Sequence, residues 1–248
     1  MDNKIVVIGS SNTDMIVQTP HIPRPGETIL GGIFNTAAGG KGANQAVACA
    51  RAGGKVTFVA RVGKDMFGDQ ALQGFQTDGI NTEYVVTDPE APSGVALIIV
   101  DDQGENSIAV ASGANGNLSV GDVEAAQTAI KGAGIVLMQL EIPLETVEAA
   151  AKLAYGKQVQ VILNPAPAQS LSDTLLQQVA ILTPNETEAQ MLTGIEVNSE
   201  STASQAAQVL IDKGVDSVII TLGAAGAYVF ADEFKGMVAG FKVDPVDT

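Results

Sequence analysis

The sequence predicts an α/β fold, in which helices cover both faces of a mainly parallel central sheet, together with a small additional β-sheet. Short runs rich in β-branched residues alternate with segments of helical length along most of the chain. These runs are apolar throughout, which is typical of parallel strands that are buried on both faces. Ligands of such folds bind beyond the carboxyl ends of the strands, so the residues that follow each strand are the candidates for function.

The first half of the chain contains two strands and two helices of this pattern. Residues 4–9 are a β-branched run that ends in glycine, which predicts a buried strand. A helix is predicted over residues 41–52, because two glycines follow it, and a strand over residues 55–60 comes next. Residues 68–77 predict the second helix.

The second half of the chain alternates more regularly between the two kinds of element. The predicted helices cover residues 120–131, 144–154, 186–192 and 202–213, and the predicted strands cover residues 135–140, 158–163, 179–182 and 217–221. Alternation at this spacing predicts parallel strands that are joined by crossover helices.

Two regions, about residues 15–36 and 93–111, have strand character without intervening helices. The second region contains a hairpin pattern, with strands over residues 95–100 and 106–111. We expect these pieces to form a small sheet inserted into a single domain of residues 1–248. Such a sheet would act as a lid that excludes water from a transfer reaction. An extension of the main sheet at its edge is the alternative.

The charge balance restricts the partners of the protein. The chain has 28 acidic and 13 basic residues, with a formal net charge of −15. Nucleic acids and anionic membranes bind through clustered Lys and Arg, so neither is expected as a partner. No apolar run reaches the about 18 residues that a membrane-spanning helix needs, and the N-terminus does not resemble a signal peptide.

Cysteine and histidine are too scarce for several kinds of site. Cys49 is the single cysteine, which fits the reducing cytoplasm, and we interpret it as a small residue packed in the first helix. His21 is the single histidine, so a zinc site built from several His and Cys residues is excluded. With few cations, a bound phosphate would depend on backbone N–H groups, helix N-termini and a metal ion.

The glycine-rich stretch of residues 38–46 is the most informative segment of the chain. Glycine lets the backbone approach a ligand closely, and the start of a helix leaves free N–H donors. Lys41 adds a charge and Asn44 adds a donor and an acceptor, which suits a ligand with hydroxyl groups or negative charge. The segment is not a P-loop, because Gly42 follows the lysine where Ser or Thr is needed. A turn that caps a buried helix is the alternative.

Polar residues also follow the first strand and the strand over residues 135–140. Asn12 and Asp14 come directly after the first strand, and a carboxylate there matches a vicinal diol, although Asn and Asp also form simple turns. Glu141 lies at the carboxyl end of the later strand, where it can contact a ligand or cap the next helix.

Two further segments close strands in the last third of the chain. Asn185 and Glu188 lie on one side of the first turn of a helix, where they can hold hydrated Mg²⁺ or form a capping box. Residues 221–226 form a turn of small residues, which allows a nucleotide to lie on the backbone, although two glycines in a turn are weak support.

In this order, the segments resemble the ribokinase branch of the PfkB carbohydrate-kinase family, from the first strand to the last residue. The segments that carry the resemblance are GGKGANQA (39–46), SGVALI (93–98), MQLE (138–141), NPAPA (164–168), NETE (185–188) and TLG (221–223).

The resemblance implies ATP-dependent phosphorylation of D-ribose to D-ribose 5-phosphate in the cytoplasm, with Mg²⁺ and a monovalent cation such as K⁺. It also implies a homodimer that forms through the lid. The residues implied to bind the sugar are Asn12, Asp14, Gly39, Gly40, Lys41, Asn44 and Glu141, with Ala96 and Ile108 from the lid. Those implied to bind the nucleotide are Asn185, Thr221, Leu222, Gly223, Ala224, Ala225 and Gly226. Glu188 is implied in the Mg²⁺ environment and Asp247 in the monovalent-cation site.

The chain departs from the family pattern at its C-terminal end. It stops at Thr248, before the glycine-rich segment that ends in the family's catalytic aspartate, so no catalytic base is expected within the given residues. We therefore expect a polypeptide that binds ribose without being a competent kinase. A non-catalytic sugar-binding protein and a related PfkB kinase for another sugar or nucleoside are the alternative functions.

Overall fold

The computed structural model describes residues 3–242, which form two β-sheets and two layers of helices. The strands are β1 (Lys4–Ile8), β2 (Asn12–Thr19), β3 (Ile33–Gly39), β4 (Lys55–Gly63), β5 (Asn81–Asp88), β6 (Gly94–Asp101), β7 (Asn106–Ala111), β8 (Ile135–Met138), β9 (Gln160–Leu163), β10 (Ile181–Leu182), β11 (Ser217–Thr221), β12 (Ala227–Ala231) and β13 (Phe234–Val238). The helices are α1 (Lys41–Arg51), α2 (Met66–Thr77), α3 (Val120–Ala125), α4 (Gln127–Lys131), α5 (Leu144–Tyr155), α6 (Asp173–Leu176), α7 (Glu186–Thr193) and α8 (Glu200–Asp212).

The large sheet has nine strands within the described residues, in the order β13-β12-β11-β10-β9-β8-β1-β4-β5. Strand β1 pairs in parallel with β4 on one side and with β8 on the other. Pairing is parallel from β5 to β11, and the pairs β11–β12 and β12–β13 at one edge are antiparallel. The sheet is therefore mainly parallel, as the sequence predicts.

Alternate residues of the central strands are buried against two different layers of helices. Val6 and Ile8 belong to a large core cluster that includes residues of α3, α5 and α8, whereas Val7 packs with Phe58 and with residues of α1 and α2. Because successive side chains of a strand point to opposite faces, this division shows that helices cover both faces of the sheet. The predicted fold class is confirmed.

The second sheet has four strands in the order β3-β2-β6-β7, and we call it the lid. Strand β2 is antiparallel to β3 and parallel to β6, and β6 forms an antiparallel pair with β7. The lid is a separate sheet, so the alternative of an edge extension is wrong. Its strands begin and end close to the carboxyl ends of the main strands, since β2 starts four residues after the end of β1.

Several local predictions differ from the structure. Asn12 and Asp14 lie within strand β2 and do not form a simple turn, because their backbone pairs with both β3 and β6. The helix predicted over residues 120–131 is two short helices that are separated at Ala126. Strands β5, β12 and β13 were not predicted. Strand β5 carries Thr and Glu and strand β13 carries Lys and Gly, which interrupt the apolar pattern that identified the other strands. Strand β12 is short and apolar, and no α-helix separates it from β11.

Candidate functional site

The first turn of helix α1 is held by groups from two other segments of the chain. Gly40 precedes the helix with a φ of 90°, a conformation that favours glycine, and it supplies no side-chain cap. The N–H of Lys41 donates to Glu141 Oε2 at 2.9 Å, and the N–H of Ala43 donates to the carbonyl oxygen of Ser10 at 2.8 Å. The sequence predicts free N–H donors here, but Glu141 and Ser10 already occupy them.

Close contact between α1 and the end of β1 depends on Gly42. A Cβ atom at Gly42 would lie only 2.5 Å from the backbone nitrogen of Ser10. The hydroxyl of Ser10 accepts from the N–H of Gly42 at 3.3 Å, so the helix start and the loop after β1 form one packed unit. The glycine-rich segment thus lets the backbone of α1 pack directly against the backbone that follows β1.

Glu141 is the centre of a polar cluster at the carboxyl end of β8. Its Oε2 accepts from Ser10 Oγ at 2.5 Å, and its Oε1 accepts from Lys41 Nζ at 2.9 Å. Burial opposes ionisation, but the hydrogen bonds from Ser10 and Lys41 and the charge of Lys41 outweigh it and lower the pKa of Glu141. Glu141 is therefore an ionised acceptor, and it caps α1, not the helix that follows it.

Ser10 is a site residue that the sequence reasoning did not single out. The available signal was its position, since it is the first polar residue after the glycine that ends the first strand. Its hydroxyl both donates to Glu141 and accepts from the backbone of α1, which links β1, β8 and α1.

Asp14 faces the same cluster from strand β2 of the lid. Burial is the main cause that raises the pKa of Asp14, the charge of Glu141 raises it further, and the charge of Lys41 opposes both effects. Among residues 3–242, the carboxylate of Asp14 has no hydrogen-bond partner. A side chain at Gly39 would collide with this carboxylate, so Gly39 leaves the space in which Asp14 lies. The Asp14 carboxylate, which has no hydrogen-bond partner among residues 3–242, thus lies close enough to Lys41 and Glu141 for their charges to shift its pKa.

Asn12 and Asn44 line a cavity of about 640 Å³ between the lid and helices α1 and α2, together with Gly39. Asp14, Lys41 and Glu141 do not line this cavity. We therefore place the chemical centre of the site at the charged cluster of Asp14, Lys41 and Glu141, and not in the cavity. Asn12 is already engaged on one side, because its Oδ1 accepts from Nδ2 of Asn115 at 2.8 Å.

The two lid residues implied by the resemblance lie on the same face of the lid as Asp14. Ala96 is the register partner of Asp14 on strand β6 and is buried. Ile108 on β7 is the register partner of Ile98, which lies two residues after Ala96, and 55% of Ile108 is exposed. Ala96 therefore lies beside Asp14, whereas Ile108 lies further along the lid.

The residues implied for the nucleotide form a second group, at the ends of β10 and β11. Asn185 Oδ1 accepts from the N–H of Glu188 at 2.8 Å, and Glu188 Oε2 accepts from the N–H of Asn185 at 2.9 Å. This is the capping-box alternative, which is confirmed. Asn185 also forms a parallel bridge with Thr221, which joins α7 to the turn after β11.

The turn from Thr221 to Gly226 presents backbone at the surface. Its glycines have positive φ angles, 53° at Gly223 and 103° at Gly226, and Leu222, Ala224 and Ala225 complete a short 3-10 turn around them. A side chain at Gly226 would collide with the carbonyl oxygen of Val238. The N–H of Leu222 donates to the carbonyl oxygen of Gly226 at 2.9 Å, which closes the turn.

Glu188 connects the two groups electrostatically. Burial raises the pKa of Glu188, while the hydrogen bond from Asn185 and the charge of Lys41 oppose this rise. Within residues 3–242, no three His, Cys, Asp or Glu side chains form a cluster that could hold a metal ion. A Mg²⁺ ion beside Glu188 would therefore be bound mainly through water and ligand oxygens, which suits its coordination chemistry. Asp247, implied for a monovalent cation, lies outside the described residues.

No helix in the part of the chain that the structure describes is long and apolar enough to cross a membrane.

The structure thus brings Asp14, Lys41 and Glu141 together, although they lie far apart in the sequence. The backbone of Gly39 and Gly40 lies next to this cluster, whereas the exposed Asn44 lies on α1, one helical turn after Lys41. The predicted nucleotide residues form a neighbouring group around the capping box.

Comparisons with known proteins identify the family of the chain. The family model of the pfkB family carbohydrate kinases matches residues 2–248. The chain is 46% identical to the ribokinase of Haemophilus influenzae over all of its length and 81% of that protein. It is 40% identical to the deoxyribokinase of Salmonella typhi, over 98% of the chain and 80% of that protein. The structure of Arabidopsis thaliana ribokinase complexed with ribose and ATP has a TM-score of 0.85 and 34% identity, over 96% of the chain and 78% of that protein. The chain belongs to the pfkB family of carbohydrate kinases.

Proposed function

We propose that this protein is a ribokinase, which transfers a phosphoryl group from ATP to D-ribose and forms D-ribose 5-phosphate. The observation that carries the proposal is the convergence of the Asp14 carboxylate on the Lys41–Glu141 pair at the carboxyl ends of the strands. Relatives named ribokinase that align with the whole chain support the same activity.

The charged cluster suits a small polyol. The unpartnered carboxylate of Asp14 can accept hydrogen bonds from two adjacent hydroxyl groups, since each of its oxygens carries free lone pairs. Lys41 is 41% exposed at its side chain, so its ammonium group retains donors for a sugar oxygen beyond the pair with Glu141. A ligand at this position would lie under Ala96 of the lid.

We propose that ATP lies along the turn from Thr221 to Gly226 and against Asn185. Exposed backbone and two glycines with positive φ angles support this position, because adenine and ribose groups can lie flat on such a surface. The free oxygen of Glu188 would hold a water of hydrated Mg²⁺. The Mg²⁺ ion would neutralise part of the phosphate charge. We also propose that Asp247 contributes to a K⁺ site.

We also propose a homodimer that forms through the lid. Both faces of this single-layer sheet carry exposed apolar side chains, among them Phe34 and Leu97 on one face and Ile108 and Val110 on the other. Apolar surface of this kind marks interaction sites, and a second copy would cover it. The free thiol of Cys49 is compatible with the reducing cytosol as the proposed compartment.

The proposal is tested by measuring binding and turnover separately. Titration calorimetry with D-ribose, 2-deoxyribose, fructose and adenosine gives the order of affinities, and a coupled assay for ADP reports turnover with each compound. Tightest binding of ribose, lost in Asp14→Ala, is the expected result. A clear preference for 2-deoxyribose would favour a deoxyribokinase, and binding of ribose without ADP formation would match the prediction from the sequence of a protein that binds the sugar without turnover. An absence of sugar binding would contradict the proposal.

A further inference from the structure

Asn115 is a buried carboxamide at the base of the lid, where the chain both enters and leaves this sheet. It lies in the 3-10 turn Gly113–Asn117, directly after the last lid strand, and only 1% of it is exposed. Its partners are Ser11 and Asn12, at the start of the first lid strand. Buried carboxamides are costly unless they are fully hydrogen-bonded, so the use of each polar atom is informative.

Every polar atom of the Asn115 side chain is engaged. Oδ1 accepts from the N–H of Ser11 at 2.8 Å, and Nδ2 donates to the carbonyl oxygen of Ser11 at 3.1 Å. The carboxamide thereby makes both bonds that the backbone of a neighbouring strand would make with Ser11. Its remaining N–H donates to Oδ1 of Asn12 at 2.8 Å.

Gly94 provides the space in which the two carboxamides meet. It is the register partner of Asn12 on strand β6. A side chain at Gly94 would collide with both Asn115 Nδ2 and Asn12 Oδ1. The contact between the two amides is thus built from three separate segments at the base of the lid, and it is not an accidental surface contact.

This contact fixes which end of the Asn12 amide is available to a ligand. Because Oδ1 of Asn12 already accepts from Asn115, its free group is the donor Nδ2. Asn12 lines the 640 Å³ cavity, and its Nδ2 is not among the fully buried atoms of residues 3–242 that lack a partner. An unconstrained asparagine offers either a donor or an acceptor, whereas this one offers a donor.

We propose that Asn115 is a positioning residue, which orients the Asn12 amide so that Asn12 donates a hydrogen bond to an oxygen of the bound sugar. The inference rests on the proposed sugar-binding function and adds a specific role to Asn12. It also assigns a function to a residue that does not contact the sugar itself.

Two substitutions separate orientation from structural support. Asn12→Asp keeps the acceptor for Asn115 and replaces the donor by an acceptor. Asn115→Asp keeps the acceptor for the N–H of Ser11, removes both donors, and leads the Asn12 amide to turn its Nδ2 toward the new carboxylate. Each variant is expected to bind D-ribose about tenfold more weakly, which corresponds to the loss of one ligand hydrogen bond. Asn81→Asp, at the opposite end of the sheet, adds the same charge and is expected to bind like the parent.

Amide exchange measured by NMR on the parent protein tests the arrangement without any sugar. Both side-chain amide protons of Asn115 are expected to exchange slowly with solvent, in contrast to those of the exposed Asn81. If the protein binds no ribose at all, the proposed function fails, and the exchange rates still decide whether Asn115 is engaged as described.

The combination of slow Asn115 exchange with weaker binding in both variants supports the proposal. Parental affinity in Asn12→Asp, or in a folded Asn115→Asp variant, overturns it, since a merely structural role changes the melting temperature without changing affinity. Asn115 amide protons that exchange as fast as those of Asn81 overturn it as well. If Asn115→Asp does not fold, Asn12→Asp decides the result, because it leaves both bonds to Ser11 intact.

Discussion

Lys41 holds both oxygens of Glu141, through its backbone N–H at 2.9 Å from Oε2 and its ammonium group at 2.9 Å from Oε1. One residue in the first turn of α1 thus fixes a carboxylate at the end of β8. Because backbone and side chain act together, the carboxylate cannot rotate away without the loss of both bonds. The start of α1 and the end of β8, which carry the site, are therefore joined by two hydrogen bonds.

Glu141→Gln is expected to lower D-ribose affinity by about tenfold to a hundredfold, because it removes a charge that orients Lys41 and weakens charge-assisted hydrogen bonds. Titration calorimetry measures the change. Glu145→Gln provides the matched control, since it removes a carboxylate four residues later on α5 that takes no part in the cluster. Equal affinity of Glu141→Gln and the parent would remove Glu141 from the sugar site.

Asp14→Asn is expected to raise stability at pH 7 while it lowers sugar affinity. The folded protein raises the pKa of Asp14, so the ionised carboxylate destabilises the folded state above that pKa. The folded state binds the Asp14 proton more tightly than the unfolded state does. The destabilisation by the ionised carboxylate therefore disappears as the pH falls below 3.8, the ordinary pKa of Asp14. The melting temperatures of the two proteins should therefore differ at pH 7 and converge at the lowest pH at which both remain folded.

Glu141 has the opposite linkage, since its folded pKa is lowered. Its contribution to stability is present above its ordinary pKa of 4.5 and is lost as the pH falls through the folded value. The Asp14→Asn comparison is therefore made against the parent at each pH, so that the loss from Glu141 cancels. A stability gain of the same size at every pH would show that charge is not its cause.

Gly42→Ala is expected to destabilise the protein by about 1–3 kcal/mol, because the new Cβ would overlap the backbone at Ser10. Gly74→Ala in α2 is the matched control: nothing lies within 4 Å of the new Cβ there. This control is expected to gain about 0.5–1 kcal/mol from helix propensity. Urea unfolding of both variants measures the difference, and a similar gain in both would show that α1 and β1 are not in close contact.

The fold was predictable because its signal is local and repeated. Buried parallel strands such as β1 and β8 read as continuous apolar runs, and short helices separate them. The edge strand β13 lacked this signal, since its exposed residues include Phe234, Lys235 and Val238 and follow no simple alternation. Edge strands are defined by pairing with a neighbour, which a single local pattern does not specify.

The site was predictable only in part, for a related reason. The glycines and charged residues that follow predicted strands identified Asp14, Lys41 and Glu141, although a sequence contains no distances between them. Ser10 and Asn115 were missed because each acts through contacts more than 100 residues away in the sequence. A serine or an asparagine in a loop carries no local sign of such a partner.

Gln139 offers a prediction in which the loss of a buried polar side chain costs little stability. It is fully buried beneath the site, its Nε2 donates to Gln45 Oε1, and its own Oε1 has no partner among residues 3–242. A buried carbonyl oxygen without a partner costs free energy, and an apolar group of similar shape removes that cost. Gln139→Met removes that cost but also the hydrogen bond that Nε2 donates to Gln45, so the free energy of unfolding is expected to change by less than about 1 kcal/mol.

Thr146→Val is the matched control for Gln139→Met. Its buried hydroxyl donates to the carbonyl oxygen of Leu118 at 2.7 Å, in the helix layer on the opposite face of the sheet. Removal of this satisfied hydrogen bond is expected to cost about 1 kcal/mol. Urea unfolding should therefore show a larger loss of stability for Thr146→Val than for Gln139→Met. A loss of more than about 2 kcal/mol in Gln139→Met would instead reveal a partner for Oε1, and a buried water is the partner that such a polar site accommodates.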